Sequence, residues 1–252
     1  MVYKELKAED FMHDAHLTRK DIPKLLIVDG HWNISGQMRK FRQNLTKVRK
    51  MHGFWGNFAM VGNYKGEPLG YSVVYGAPIA SEIVHAFALM GTRYFLQIGS
   101  FGALRKGMRV GDFLIPTKSE KGDGASQYYA MPHQIADSSK DMNQILIEIL
   151  GKAGHAYHIG PMYSTSAMLG ETKEMIADWN KKGYLGVDLE TAATFAVAKH
   201  FGAKRAGLLR MIDNVVEDKH VLMELPAEEE KRHQQSKKDI VKHALAFFER
   251  LP

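Results

Sequence analysis

The chain has 252 residues, of which 45% are hydrophobic and 25% are charged, and its formal net charge is +6. This length suits one well-buried domain spanning residues 1–252 and is short for two. Cysteine is absent, which excludes disulfide bonds and thiolate metal sites. No run approaches the roughly 18 apolar residues that span a bilayer, so we expect a cytoplasmic protein with no membrane partner.

The polar residues narrow the function classes further. The 12 histidines include no pair at metal-ligand spacing, so we predict no metal site. Basic residues are interleaved with acidic ones except around residues 39–50, where a solvated helix face is the simpler interpretation, so we expect no nucleic-acid partner. The positive charge is compatible with an anionic small substrate.

The first half of the chain predicts strands followed by a helix. Residues 25–30, LLIVDG, form a continuous apolar run that ends in glycine, which indicates a buried central strand feeding a loop. Residues 54–61 and 69–75 alternate enough to predict two more strands. A helix is predicted from about residue 79 to residue 90, stopped by Gly91.

The next segment, residues 94–116, predicts a strand, a tight turn and a second strand. The apolar run breaks at the Gly-Ser-Phe-Gly sequence of residues 99–102 and resumes at residues 112–115. Glycines just past a strand let backbone N–H groups and the hydroxyl of Ser100 approach an anion or a sugar, which a Cβ would block. An ordinary tight turn remains the alternative.

The second half predicts a helix at residues 140–151, a strand at 158–164, a helix at 187–201 and a strand at 206–212, before a terminal helix. These elements alternate, which indicates a three-layer α/β/α fold around a mostly parallel, twisted sheet.

Two carboxylates in this half are candidate functional residues. Glu190 lies on the apolar face of the predicted helix at 187–201, so it must find hydrogen-bond donors there, either inside the protein or on a ligand. The hydroxyls of a sugar are suitable donors. Asp213 follows the strand at 206–212 and is either catalytic or a cap of the next turn.

Three blocks of sequence, taken in order, resemble the purine-nucleoside and uridine phosphorylase family. They are IGSFGALR (98–105), GMRVGDFLIP (107–116) and GVDLETAATFAVA (186–198), within a resemblance that runs from about His13 to the C-terminus. The resemblance implies a partly barrelled sheet and cleavage of a nucleoside N-glycosidic bond, with phosphate as co-substrate and no other cofactor. It also implies a homo-oligomer, a dimer or a hexamer, with sites at dimer interfaces.

The resemblance also implies roles for individual residues. Glu190 would hold the ribose hydroxyls, Leu189 would line the sugar, and Asp213 would protonate or hydrogen-bond N7 of a purine. Arg210 could orient Asp213 or supply a positive charge. The remaining positions are His13, reaching the ribose 5′-hydroxyl across a dimer interface, and the base-binding segment with Met168, Glu171 and Lys173.

The expected phosphate site departs from the family pattern. Ile34, Val73 and Gln97 stand where phosphorolytic members carry an arginine, a threonine and an arginine. What remains of this site comprises Gly30, Gly76, Gly99, Ser100 and the neutral donor Gln97. Because a phosphate dianion needs positive charge, three functions stay open: phosphorolysis to base and ribose 1-phosphate, phosphate-independent hydrolysis, or nucleoside binding with little catalysis.

Overall fold

A computed structural model describes residues 3–129, 134–217 and 225–252, and these residues contain seven α-helices and ten β-strands. The helices are α1 (Ala8–Ala15), α2 (Ile34–Arg42), α3 (Ala77–Met90), α4 (Lys140–Ala153), α5 (Lys173–Lys181), α6 (Thr191–His200) and α7 (Ala227–Glu249). The strands are β1 (Leu25–Gly30), β2 (Thr46–Lys50), β3 (Ala59–Tyr64), β4 (Glu67–Val74), β5 (Tyr94–Ala103), β6 (Phe113–Lys121), β7 (Ile135–Asp137), β8 (Tyr157–Ser164), β9 (Gly186–Asp188) and β10 (Lys204–Asn214).

All ten strands belong to one mixed sheet, part of which closes on itself. β4, β1, β5 and β10 lie side by side and run parallel. β10 also pairs antiparallel with β6, and the path β6–β8–β9–β5 returns to β10, which closes a five-stranded barrel. β3 and β2 extend the open edge antiparallel. This topology confirms the predicted α/β fold with a partly barrelled sheet.

Helices cover both faces of the sheet because β1 is apolar on both sides. Leu25 and Ile27 point into a core shared with α2, α4 and α7. Leu26 and Val28 point the opposite way, into a core shared with α1, α3 and α6. The alternation follows from the two-residue period of a strand. None of the helices in the described ranges combines the length and the apolar character needed to cross a bilayer.

The structure corrects two predicted boundaries in the first half. The basic segment at residues 39–50 is not one helix face, because α2 ends at Arg42 and β2 begins at Thr46. The strand predicted from residue 54 begins at Ala59, and residues 53–57 form a short 3₁₀ helix instead.

The predicted turn at residues 99–102 is wrong, since β5 continues through it to Ala103. Gly99 adopts φ +153°, and a Cβ added there would lie 3.0 Å from the carbonyl oxygen of Gly30. Glycine is therefore required where β1 and β5 approach closely, and it bends the strand without ending it.

Candidate active site

A cleft of about 510 Å³ opens at the carboxyl ends of β1 and β10 and along the second half of β5. This is the end of a parallel sheet at which α/β proteins bind ligands. The residues used below that line it are Gly30, His31, Trp32, Tyr75, Ser100, Phe101, Met168, Leu169, Glu171, Leu189, Glu190, Arg210, Asp213, His233 and Lys237.

The helix predicted from residue 187 begins only at Thr191, which changes the position of Glu190. Residues 186–188 form β9, and Glu190 occupies the junction before α6. The first N–H groups of α6 have other partners: Thr191 N donates to Asp188 Oδ2 at 3.0 Å and Ala192 N donates to Ser164 Oγ at 2.9 Å. The side chain of Glu190 is therefore not used as a helix cap and reaches the cleft wall.

Glu190 is 5% exposed and is clamped between two glycines. The N–H of Gly76, just before α3, donates to Glu190 Oε1 at 2.7 Å. A Cβ added at Gly30 would lie 2.6 Å from Oε2, so only glycine leaves room for the carboxylate there. Burial raises the pKa of Glu190, the nearby charge of Asp188 raises it further, and the Gly76 N–H opposes both effects.

Asp188 is a second buried carboxylate, and its partners hold it in place. Its oxygens accept hydrogen bonds from Ser164 Oγ at 2.6 Å and from Thr191 Oγ1 at 2.5 Å. Burial is the main cause that raises its pKa. Asp188 thus fixes the β9–α6 junction from which Glu190 projects.

The opposite end of the cleft carries an acidic pair, Glu171 and Asp213. Burial, followed by the negative charge of Asp213, raises the pKa of Glu171 to about 7. The two carboxyl groups therefore retain one proton between them near neutral pH. Apolar side chains surround this end, with Phe101 and Met168 among the lining residues.

Positive charge enters the cleft from a third direction. Arg210 of β10 is 6% exposed, and its Nη1 lies 3.5 Å from Nδ1 of His233 on α7. Lys237, one turn further along α7, also lines the cleft. Burial lowers the pKa of His31 to about 4, and the charges of Lys237 and Arg210 act in the same direction.

The structure separates some predicted site residues from the cleft. Gln97 is fully buried: its Nε2 donates to the carbonyl oxygen of Ile98 at 2.9 Å and its Oε1 accepts from Thr194 Oγ1 at 2.6 Å. It is a core residue rather than a remnant of a phosphate site. Gly76 likewise serves the Glu190 carboxylate, which corrects its assignment to the phosphate site.

Two other predicted residues lie outside this cleft. His13 is exposed on α1 and Lys173 is exposed at the start of α5, and neither is among the lining residues. Lys173 is therefore wrong as a base-binding residue of its own chain's cleft. Gly30, Ser100, Met168, Glu171, Leu189, Glu190, Arg210 and Asp213 do come together there, and Gly99 lines a small adjoining chamber.

Sequence reasoning missed the contribution of α7. His233 and Lys237 are four residues apart, so they share one face of the helix. This face reaches the cleft because α7 packs against β10 and β5. The helical period predicts that the two residues share a face, but it does not predict which strand that face meets.

The fold and the cleft together define a nucleoside phosphorylase-like α/β protein. The structure matches uridine phosphorylase from Vibrio fischeri ES114 with a TM-score of 0.78, covering 93% of this chain and 95% of that one at 20% sequence identity. A sequence model of the phosphorylase superfamily matches residues 35–249. The chain belongs to the phosphorylase superfamily, which confirms the resemblance seen in the sequence.

Curated relatives carry several activities. A guanosine phosphorylase of Halorubrum lacusprofundi is 33% identical over 141 residues, which span 55% of this chain and 57% of that protein. A DeoD-type purine nucleoside phosphorylase of Mannheimia succiniciproducens is 27% identical, spanning 69% of this chain and 71% of that protein. A uridine phosphorylase of Thermococcus kodakarensis is 27% identical, spanning 58% and 57%.

Proposed function

We propose that the protein is a nucleoside phosphorylase, a pentosyltransferase that cleaves the N-glycosidic bond of a nucleoside with inorganic phosphate. The observation that carries this proposal is the buried Glu190 carboxylate at one end of a cleft whose other end holds the Glu171–Asp213 pair. The spacing of a sugar site and an acid site matches the two halves of a nucleoside. The names of the relatives support the same reaction class.

Glu190 acts on the ribose in this proposal. Its carboxylate accepts hydrogen bonds from the 2′- and 3′-hydroxyls, and these bonds repay the cost of burying it. As the glycosidic bond breaks, positive charge grows on the sugar ring and the nearby carboxylate stabilises it. Leu189, which lines the cleft beside Glu190, supplies an apolar wall for the sugar.

The Glu171–Asp213 pair acts on the base. The bond between C1′ and the base nitrogen breaks, and the base leaves with the electron pair. A proton from the pair neutralises the charge that develops on the base, which makes it a better leaving group. A purine accepts this proton at N7, so we propose Asp213 as the general acid and a purine nucleoside as the preferred substrate.

Phosphate completes the reaction: one of its oxygens forms the new bond to C1′, and the products are free base and ribose 1-phosphate. The reaction needs no cofactor beyond phosphate. We also propose a homo-oligomer, a dimer or a hexamer with sites near subunit interfaces, working in the cytoplasm.

Base release from a panel of purine and pyrimidine nucleosides, with and without inorganic phosphate, tests the proposal. We expect release from purine nucleosides that requires phosphate and yields ribose 1-phosphate. Release at the same rate without phosphate, yielding free ribose, would instead make the protein a nucleosidase. Tight nucleoside binding without release would leave only the binding role.

A further inference from the structure

Arg210 is a buried cation that lacks an anionic partner among the residues the structure describes. Its side chain is 6% exposed, its one hydrogen-bond contact is with His233 at 3.5 Å, and no described carboxylate lies within ion-pair distance. Burial lowers its pKa to about 10, which leaves the guanidinium charged at neutral pH. A buried charge without a partner is costly, so this arginine is placed for an anion that comes from outside.

A second cation faces the same space. Lys237 is half-buried on α7, and together with Arg210, His31 and Ser100 it lines both the main cleft and a small adjoining chamber. Burial and the charge of Arg210 lower the pKa of Lys237, so the two cations repel one another. Within the described residues, Lys237 has no ion-pair partner either.

The nearby carboxylate of Asp29 does not neutralise these two cations. Its Oδ2 accepts a hydrogen bond from Tyr71 Oη at 2.5 Å, on the side of the sheet's core. Burial raises the pKa of Asp29 to about 6 even though Arg210 and Lys237 act to lower it. With one carboxylate against two cations, the chamber retains net positive charge at neutral pH.

This positive wall adjoins the ribose carboxylate. Arg210 pairs in register with Ser100 across β10 and β5, and Gly99 pairs with Gly30 across β5 and β1. Gly30 in turn lies against Glu190. An anion held by Arg210 would therefore be separated from the sugar site by the width of two strands. Ser100 adds a hydroxyl donor that has no hydrogen-bond partner among the described residues.

We propose that Arg210 and Lys237, with Ser100 and His233, form the phosphate-binding site of this enzyme and replace the charge lost at Ile34, Val73 and Gln97. This inference rests on the proposed function for the identity of the anion as the attacking phosphate. The site takes a tetrahedral oxyanion, and Arg210 supplies the two-pronged donor that such an anion requires. In this arrangement the cation comes from β10 and α7, while β1 and β5 contribute glycine and serine.

Direct binding of inorganic phosphate by titration calorimetry tests the site without turnover. We expect Lys237→Met and Arg210→Gln to weaken phosphate binding about 10- to 100-fold, in line with the loss of a charged hydrogen bond. Lys238→Met is the matched control, because Lys238 is the exposed neighbour on the same helix. Lys237→Met keeps the test valid if Arg210→Gln fails to fold, since Lys237 is only half-buried.

The outcomes separate this inference from the proposed function. Wild-type protein that binds phosphate through Arg210 and Lys237, yet releases base without it, would support the site and refute phosphorolysis. Phosphorolysis with an unchanged phosphate KM in both variants would overturn the site and leave the function standing. Binding of a nucleoside 5′-monophosphate that depends on Arg210, with no binding of inorganic phosphate, would also overturn the assignment to the attacking phosphate.

Discussion

Asp213 is half-buried at the end of β10, beside Glu171, where it can reach a leaving base. We expect Asp213→Asn to lower kcat for a purine nucleoside by about 100-fold, the lower range for loss of a general acid. The nucleoside Kd should change little, because the amide keeps the shape and a hydrogen-bonding group. Steady-state kinetics together with equilibrium binding measure the two effects.

The matched control for this variant is Asp178→Asn on the exposed face of α5, where the carboxylate pairs with Lys182. It removes the same charge at a surface position and should leave kcat unchanged. Equal losses in kcat and in binding for Asp213→Asn would argue that Asp213 is merely structural.

Glu171 gives the enzyme a pH dependence whose sign follows from its raised pKa. Below about pH 7 the carboxyl of Glu171 holds its proton, and above it both members of the pair are charged and have no proton to donate. We therefore expect kcat/KM to fall above pH 7, and Glu171→Gln to remove that alkaline limb. A pH–rate profile of both proteins measures the effect, and an unchanged limb in the variant would contradict the assignment.

The same carboxyl affects stability. Because its folded-state pKa of about 7 lies above the unfolded value of 4.5, its contribution is full below the unfolded value and is lost as the pH rises through 7. Partial exposure reduces the size of this loss to at most about 2 kcal/mol. Urea unfolding at pH 5 and pH 8 should therefore show a steeper decline for the wild type than for Glu171→Gln.

At the scale of elements, the end of β1 positions the sugar carboxylate through a missing side chain. A Cβ at Gly30 would lie 2.6 Å from Glu190 Oε2 and 3.3 Å from Gln97 Nε2. We expect Gly30→Ala to displace Glu190 and raise the nucleoside KM at least about tenfold, the effect of losing one charged hydrogen bond. Gly124→Ala is the control, because an added Cβ there meets nothing within 4 Å. Equal KM values would show that Glu190 adapts or does not hold the sugar.

The sequence predicts the elements better than it predicts their junctions. The continuous apolar run of β1 specifies a buried strand, and the structure has it at the same residues, Leu25–Gly30. The segment GVDLETAATFAVA is equally apolar in its strand and in its helix, so periodicity does not reveal β9. The overlooked signal is Asp188, whose carboxylate accepts from the N–H of Thr191 three residues later.

The candidate site divides in the same way. Glu190 and Asp213 could be found from the sequence because each stands beside a recognisable apolar element. Lys237 could not, since it lies 27 residues after Arg210 and meets it only when α7 packs on β10. Gln97 was misplaced for the opposite reason: whether a strand residue faces a cleft or a core depends on the helix that covers it, here α6 through Thr194.

At the scale of the whole molecule, β10 connects the parts of the site. It closes the barrel by pairing with β5 on one side and β6 on the other. Its register sets Arg210 beside Ser100 and Asp213 beside Gly102. One strand therefore carries both the proposed phosphate cation and the proposed acid, so the barrel closure that stabilises the fold also sets the distance between them.

His13 tests the molecule as an assembly. It is exposed on α1 and does not line the cleft of its own chain, so it can reach a nucleoside only in another subunit. The cleft mouth has an apolar rim suited to such a contact, with Leu169 89% exposed and Trp32 64% exposed. A dimer with sites at its interface would bring these features together.

We expect Glu190→Ala and His13→Ala each to be nearly inactive alone, and mixed oligomers of the two to regain activity. In a random mixture of dimers, half are mixed and each mixed dimer has one intact site, which restores about a quarter of wild-type activity. Mixing Glu190→Ala with Asp213→Asn is the control, because both residues line one chain's cleft and no mixed dimer contains an intact site. Recovery in the control, no recovery in the test pair, or a monomeric mass by light scattering would each contradict a site shared between subunits.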